Sequence, residues 1–191
     1  MVTRFHSDVP LTYREYACLP NDGRRYELIE GDLHVLPAPS TLHQRVSRRL
    51  QFLLMQQLEE RGIAEIFNAP TDVILSESNI VQPDLILVRM SREGAVSQRG
   101  IEGAPNVAVE IVSPSNRSDD ELLKKALYAK WGIPEYWVVD PEHAQISVYR
   151  AEGGAYRHVA RFDRASILNS IEFPEVSVPL EKVFAPFPSS R

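Results

Sequence analysis

Two carboxylates stand where a strand should be apolar. Asp84 interrupts Val81-Gln82-Pro83-Asp84-Leu85-Ile86-Leu87-Val88, and Glu110 interrupts Val107-Ala108-Val109-Glu110-Ile111-Val112. An ionised carboxylate in a buried strand is strongly unfavourable unless a cation or a dense set of hydrogen-bond donors compensates it, so a matched pair on neighbouring strands suits a divalent metal. Taken singly, each acid has a plain account: Asp84 opens its strand after Pro83, and Glu110 lies on a solvated sheet face. Their company shifts the weight. Ser113-Pro114-Ser115 follows Glu110, and Asp120, Lys124 and Tyr128 then recur every four residues, on one face of a helix. The same spacing fits an ordinary acid-to-lysine pair worth about 0.2–0.5 kcal/mol, so spacing leaves both accounts open. His43 is a further candidate. It falls in the first turn of a long helix, where a histidine either touches solvent or joins free backbone N–H groups in holding a phosphate oxygen.

The elements that must position these residues follow from local pattern. Thr12, followed three residues later by Glu15, reads as the capping box of a short helix that ends before Pro20. Residues 25–30 and 32–36 flank Gly31 as the arms of a hairpin, with Glu30 at its turn. Over residues 40–61, Leu42, Val46, Leu50, Leu53, Leu54 and Leu58 form a helical stripe closed by Gly62. Residues 65–67, 72–75, 80–89 and 107–112 are short or β-branched and predict strands of one sheet. Residues 118–131 return to helix, ending at Gly132, and residues 136–139 re-enter the sheet. Residues 146–150 and 156–162, with the proline-rich tail after Phe173, predict a β-meander over one edge. The sum is an α/β chain on a mixed sheet, one domain over residues 1–191: a helix and lead-in over 1–24, a core over 25–141, and C-terminal strands and tail over 142–191.

Composition narrows the class. Hydrophobic residues at 43% and charged residues at 25% are ordinary globular usage, which gives disorder no support. With 26 acidic and 21 basic residues the net charge is −5, which argues against a surface built throughout to grip nucleic acid or anionic lipid. A local patch stays open: Arg45, Arg48 and Arg49 on the long helix supply one, or are a solvated face. Trp131, Trp137 and Tyr136 read as core or interface rather than base-stacking platforms. No apolar run exceeds four residues, whereas a membrane span needs about 20 and a signal peptide about 7–15. The lone Cys18 has no disulfide partner. A cytoplasmic protein without membrane contact is the expectation.

The constellation of Gln82-Pro83-Asp84, Val109-Glu110-Ile111-Val112-Ser113-Pro114-Ser115, and the run from Asp120 through Lys124, Tyr128 and Gly132-Ile133-Pro134-Glu135-Tyr136-Trp137-Val138-Val139-Asp140-Pro141 resembles the Uma family of restriction endonucleases, a bacterial branch of the PD-(D/E)XK nuclease superfamily. Tyr26-Glu27-Leu28-Ile29-Glu30-Gly31 and His43 extend the likeness to about residues 10–150. The resemblance implies a restriction-endonuclease-like fold, a mixed central sheet flanked by helices, here with an extra C-terminal β-meander. It implies a Mg2+ site, with Mn2+ as substitute, held by Asp84, Glu110 and the carbonyl of Ile111. The wider superfamily carries a lysine two residues after the glutamate, and Val112 stands there. The implied replacement is Lys124 on the following helix, with Lys125 about 100° away the poorer choice. Glu30 would add an acid from the hairpin, binding metal through water or positioning Lys124, and His43 would contact phosphate.

The leading expectation is therefore a Mg2+-dependent DNA endonuclease with Asp84, Glu110, Lys124 and Glu30 as its catalytic residues. The rival is a catalytically inactive nuclease-fold scaffold or partner-binding module, in a homodimer or not. The acidic net charge favours the rival.

Overall fold

The computed structural model describes residues 2–6, 9–92, 94–112 and 119–186, the side chains of residues 119–121 excepted. Ser113-Pro114-Ser115 and the side chain of Asp120 thus lie outside the described residues.

The N-terminal part builds one sheet. Strand β1 (Thr3–Phe5) precedes a single capped turn, α1 (Tyr13–Tyr16), in which Glu15 accepts from the Thr12 N–H at 2.9 Å. The expected hairpin is β2 (Arg25–Ile29) and β3 (Asp32–Leu36), with Ile29 opposite Asp32. Its turn has φ +52° at Glu30 and +83° at Gly31, both in the left-handed region that tight hairpins require. A Cβ at Gly31 would stand 2.5 Å from the Cβ of Pro10, so only glycine fits there.

The long helix is α2 (Thr41–Leu54), capped by the Ser40 hydroxyl on the His43 N–H and continued by a π-helical turn over Met55–Glu59. Then come β4 (Ala64–Asn68), β5 (Val73–Ser76), β6 (Asn79–Val81), β7 (Leu85–Arg89), β8 (Val96–Ser97), β9 (Gly100–Glu102) and β10 (Val107–Ile111). Helix α3 (Asp119–Lys130) leads to β11 (Glu135–Asp140), which lies parallel to β10. A parallel neighbour needs such a crossover. The chain finishes with β12 (Gln145–Glu152), β13 (Ala155–Asp163), β14 (Ile167–Asn169), β15 (Ser177–Pro179) and α4 (Leu180–Val183).

The strands divide between two large sheets rather than joining one. The first runs β1-β3-β2-β6-β5-β9-β8 and the second, mixed one runs β13-β12-β11-β10-β7-β4, with β14 and β15 paired separately. The stretch read as a single strand over residues 80–89 is cut by Gln82-Pro83-Asp84, which carries the chain from β6 in the first sheet to β7 in the second. Pro83 has no N–H to donate to a ladder, so the break falls there.

Period-two alternation separates the faces of the six-stranded sheet. Leu85, Leu87, Val107, Val109 and Trp137 pack with Val46, Leu50, Leu54 and Leu58 of α2. Ile86, Val88, Ala108, Tyr136 and Val138 pack on the opposite side with Leu127 and Tyr128 of α3 and with Ile29, Val73 and Val81 of the first sheet. Two departures from expectation stand out. Leu42 is exposed rather than part of the stripe. The tail does more than cover an edge, since Leu168, Phe173, Val178, Leu180 and Val183 are fully buried against α2 and its sheet face. Trp137 and Tyr136 are core and Trp131 packs against it. Among the described residues no helix is long and apolar enough to cross a membrane.

Candidate functional site

Register brings the two acids together. Glu110 has the parity of Ala108 and points to the face shared with α3 and the first sheet, whereas Asp84, one residue before β7, turns its carboxyl toward His43 of α2. β10 pairs with β7 as Val107 with Leu87, Ala108 with Ile86 and Val109 with Leu85. Asp84 lies one residue before β7, a step beyond the last pair of Val109 with Leu85, which brings it to the level of Glu110. The Ile111 N–H donates to Asp84 Oδ2 at 2.9 Å and ties the aspartate to the strand residue next to Glu110.

Asp84 is buried and surrounded by donors. His43 Nε2 lies 3.0 Å from Oδ2, and a guanidinium nitrogen of Arg25 lies 3.6 Å from Oδ1. Arg25 is itself held by the Gln82 carbonyl, to which it donates at 2.8 Å. Burial is the largest influence on Asp84 and would raise its pKa. His43, the Ile111 N–H and Arg25 together outweigh it and hold the carboxyl below the usual range.

Glu110 meets a different environment. Its Oε1 accepts from Lys124 Nζ at 3.1 Å and from the Tyr128 hydroxyl at 2.6 Å. The four-residue spacing on α3 sets both donors on one helical face. Lys124 also donates to Glu27 Oε1 at 2.8 Å, and that oxygen accepts the Gln82 N–H at 2.7 Å. Burial pushes the Glu110 pKa up to about 7; Lys124 opposes the rise, while the charges of Asp84 and Glu27 add to it. The ion pair with Lys124 does not prevail because the same ammonium serves two carboxylates. Burial and the neighbouring Glu110 push Tyr128 well above the usual tyrosine range, so it remains a donor at neutral pH.

Three carboxylates, Asp84, Glu110 and Glu27, thus face two permanent cations, Arg25 and Lys124. With all three acids ionised and His43 neutral, the carboxylates outnumber these cations by one. Glu27 Oε2 is buried with no hydrogen-bond partner. Surplus negative charge and an unfilled acceptor fit a hard cation, and the donors are oxygens, as Mg2+ prefers. Among the described residues no group of three or more acid, histidine or cysteine side chains forms a metal cluster by itself.

The residues read from sequence fall into two groups. Asp84, Glu110, Lys124 and His43 converge, and the main chain of Ile111 lies against Asp84. Lys125 stands apart, with its ammonium 3.6 Å from the centre of the Tyr149 ring. Val112 packs against the core beside α3. Glu30 does not join the cluster. It pairs with Lys130 at 3.0 Å, and both side chains are about three-fifths exposed, at 60% and 62%. A turn residue with positive φ projects away from the strand faces, so the hairpin's acid at Lys124 is Glu27, three residues earlier. The criterion that selects Asp84 and Glu110, an acid set among apolar strand residues, also fits Tyr26-Glu27-Leu28-Ile29. Arg25 carries no such signal, because a cation opening a strand is commonplace.

The sequence matches the Uma2 family, described as "Putative restriction endonuclease", over residues 13–181. Among solved structures the chain is similar to a protein from Anabaena variabilis described as "a putative nuclease belonging to DUF820". The TM-score is 0.75 at 23% identity, covering 92% of this chain and 98% of that one. That likeness shows the fold, a mixed α/β restriction-endonuclease-like architecture. A search of curated proteins gives no match. With most of its length matched, from the capped turn before the hairpin to α4, the chain belongs to the Uma2 restriction-endonuclease family.

Proposed function

We propose that this chain is a nuclease that hydrolyses phosphodiester bonds of DNA with Mg2+, or Mn2+ in its place. The observation that carries the reading is that the Asp84 carboxylate is bonded to the Ile111 N–H, next to Glu110, while Glu110 already holds the Lys124 ammonium. Family membership supports it. Asp84, Glu110 and the Ile111 carbonyl would hold the cation. When bound, Mg2+ supplies a hard positive charge that acidifies water and offsets charge developing on the phosphate oxygens. Lys124 presents a second, preorganised cation to the same phosphate in a site largely shut off from solvent. Glu27 is a positioning residue: fully buried, it fixes the ammonium of Lys124. His43 and Arg25 orient Asp84 and keep it ionised, and His43 would contact a phosphate oxygen.

One observation favours the scaffold rival, alone or as a homodimer. Both Asp84 oxygens already face groups of the chain itself. Plasmid cleavage separates the two. The nuclease reading expects nicking in Mg2+ or Mn2+, little in Ca2+, whose longer and looser coordination suits the reaction poorly, and none in chelator. Absence of cutting under every divalent cation would contradict it.

A further inference from the structure

Helix α2 carries three arginines and no acid from Thr41 to Leu54, in a chain with 26 acidic residues. Two grooves flank its outer face. One, of about 620 Å3, lies between the helix and the end of β4 and is lined by Thr41, Gln44, Arg45, Arg48, Gln51 and Asn68. The other, of about 380 Å3, is lined by Arg48, Arg49, Phe52, Leu53 and Lys182. Arg48 belongs to both, and no acidic side chain lines either.

The first groove adjoins the acid cluster. Ser47 lines it one helical turn beyond His43, whose ring is on Asp84, and Ala69, next to Asn68, donates its N–H to the Asp84 carbonyl at 3.2 Å. The cations are close enough to disfavour one another. Desolvation first, and then the charges of Arg49 and Arg48, hold the Arg45 guanidinium below its usual range. Arg49 spends its hydrogen bonds on the neutral carbonyls of Val183 and Ala185, which leaves its charge uncancelled. Phe52, 59% exposed, sits among these cations. An aromatic ring in a basic groove is how sequence-tolerant single-strand binders hold a base.

We propose that the outer face of α2 is the track on which the nucleic acid's phosphate backbone lies, running from the groove lined by Arg45 and Ser47 to Lys182, with an unpaired base stacked on Phe52. The proposal rests on the nuclease reading above. Charge complementarity selects the occupant. A second copy docking through the same face would set arginine against arginine, whereas a polyanion brings charge of the opposite sign. The length is apt: from Thr41 to Leu53 the helix rises roughly 18 Å at 1.5 Å per residue, the span of about five phosphates on one strand at 3.4 Å each.

The test is fluorescence anisotropy of the full chain, in chelator, with a short labelled DNA single strand and with its duplex at several salt concentrations. Arg48→Glu is expected to weaken both by about tenfold or more and to flatten the salt dependence. Phe52→Ala should weaken the single strand by about fivefold or more and spare the duplex. Arg161→Glu, on β13 at the far edge of the sheet from β4, should bind as wild type. Both altered side chains are exposed, and unchanged melting temperatures verify that the variants fold. Wild-type affinity in Arg48→Glu and Phe52→Ala, in protein that still cuts plasmid, would overturn the track and leave the nuclease reading standing. Wild type that neither binds nor cuts would remove both. A dimer that Phe52→Ala dissolves would give the face to a second copy and overturn the proposal.

Discussion

The two ends of the acid cluster solve opposite problems. At the α2 end, Asp84 is buried but ringed by His43, Arg25 and the Ile111 N–H, and its pKa falls. At the α3 end, Glu110 is largely but not fully buried, with a lysine it must share with Glu27, and its pKa rises to about 7. Burial is the same first influence at both ends; what differs is how many donors each carboxylate has to itself. One site therefore holds an acid kept ionised beside an acid poised near neutrality, the separation of roles that environments impose on paired carboxylates. A divalent cation between them would act mainly on Glu110, the end that lacks compensation.

The comparison breaks most visibly if either acid is removed. Asp84→Ala and Glu110→Gln should each lower plasmid nicking by about 1000-fold or more, as expected when a group that holds charge in the transition state is lost. Their effects on the fold should differ. Glu110→Gln leaves Lys124 still paired with Glu27, so its melting temperature in chelator should equal or exceed that of wild type. Equal activity in either variant would end the catalytic assignment.

Lys124→Met removes the shared cation and strands Glu27, fully buried, with the Gln82 N–H as its remaining donor. Urea unfolding should show a loss of about 3–5 kcal/mol. A loss under about 1 kcal/mol would mean that the ammonium does not fix Glu27.

Changing pH sharpens the contrast without mutation. Glu110 is raised from 4.5 to about 7, so between those values the folded chain holds a proton that the unfolded chain has released. Stability from this group is greatest at low pH and is lost as pH rises through about 7, by up to about 3 kcal/mol. Asp84 is lowered, so its contribution is present at neutral pH and is lost as pH falls below about 4. Urea unfolding from about pH 5 to 8 should therefore show wild-type stability declining with pH and Glu110→Gln declining less. Parallel curves would show that Glu110 is not the group responsible.

The smallest effect belongs to the hairpin turn. Glu30→Gln breaks an exposed pair with Lys130, and stability should change by no more than about 1 kcal/mol with nicking unaltered. A large loss of nicking would return Glu30 to the site.

Much of this was legible in the chain itself. The hairpin around Gly31, the capped turn at Thr12, the crossover helix, the acid that precedes β7 and the acid in β10 each carry a local signature of period, cap or turn. What local pattern could not give was the partition into two sheets. A single apolar run over residues 80–89 hides the passage at Gln82-Pro83-Asp84, and only that passage sets Glu27 of one sheet beside Glu110 of the other. The hairpin's acid was misplaced by three residues for the same reason: Glu30 is conspicuous at a turn, while the partner of Glu27 lies 97 residues away. Arg25 and the burial of the tail against α2 depend equally on contacts distant in sequence.

The central claim, that Asp84 and Glu110 share a divalent cation, is tested most directly by thermal melting of wild type, Asp84→Ala and Glu110→Gln, each in chelator and in saturating Mg2+ or Mn2+. A cation that binds only the native state raises the melting temperature by mass action. The account predicts that the cation raises the wild-type melting temperature and leaves both variants where they stood in chelator. Wild-type curves that coincide with and without the cation, together with a Glu110→Gln variant that melts far lower in chelator, would contradict it and make Glu110 a structural partner of Lys124.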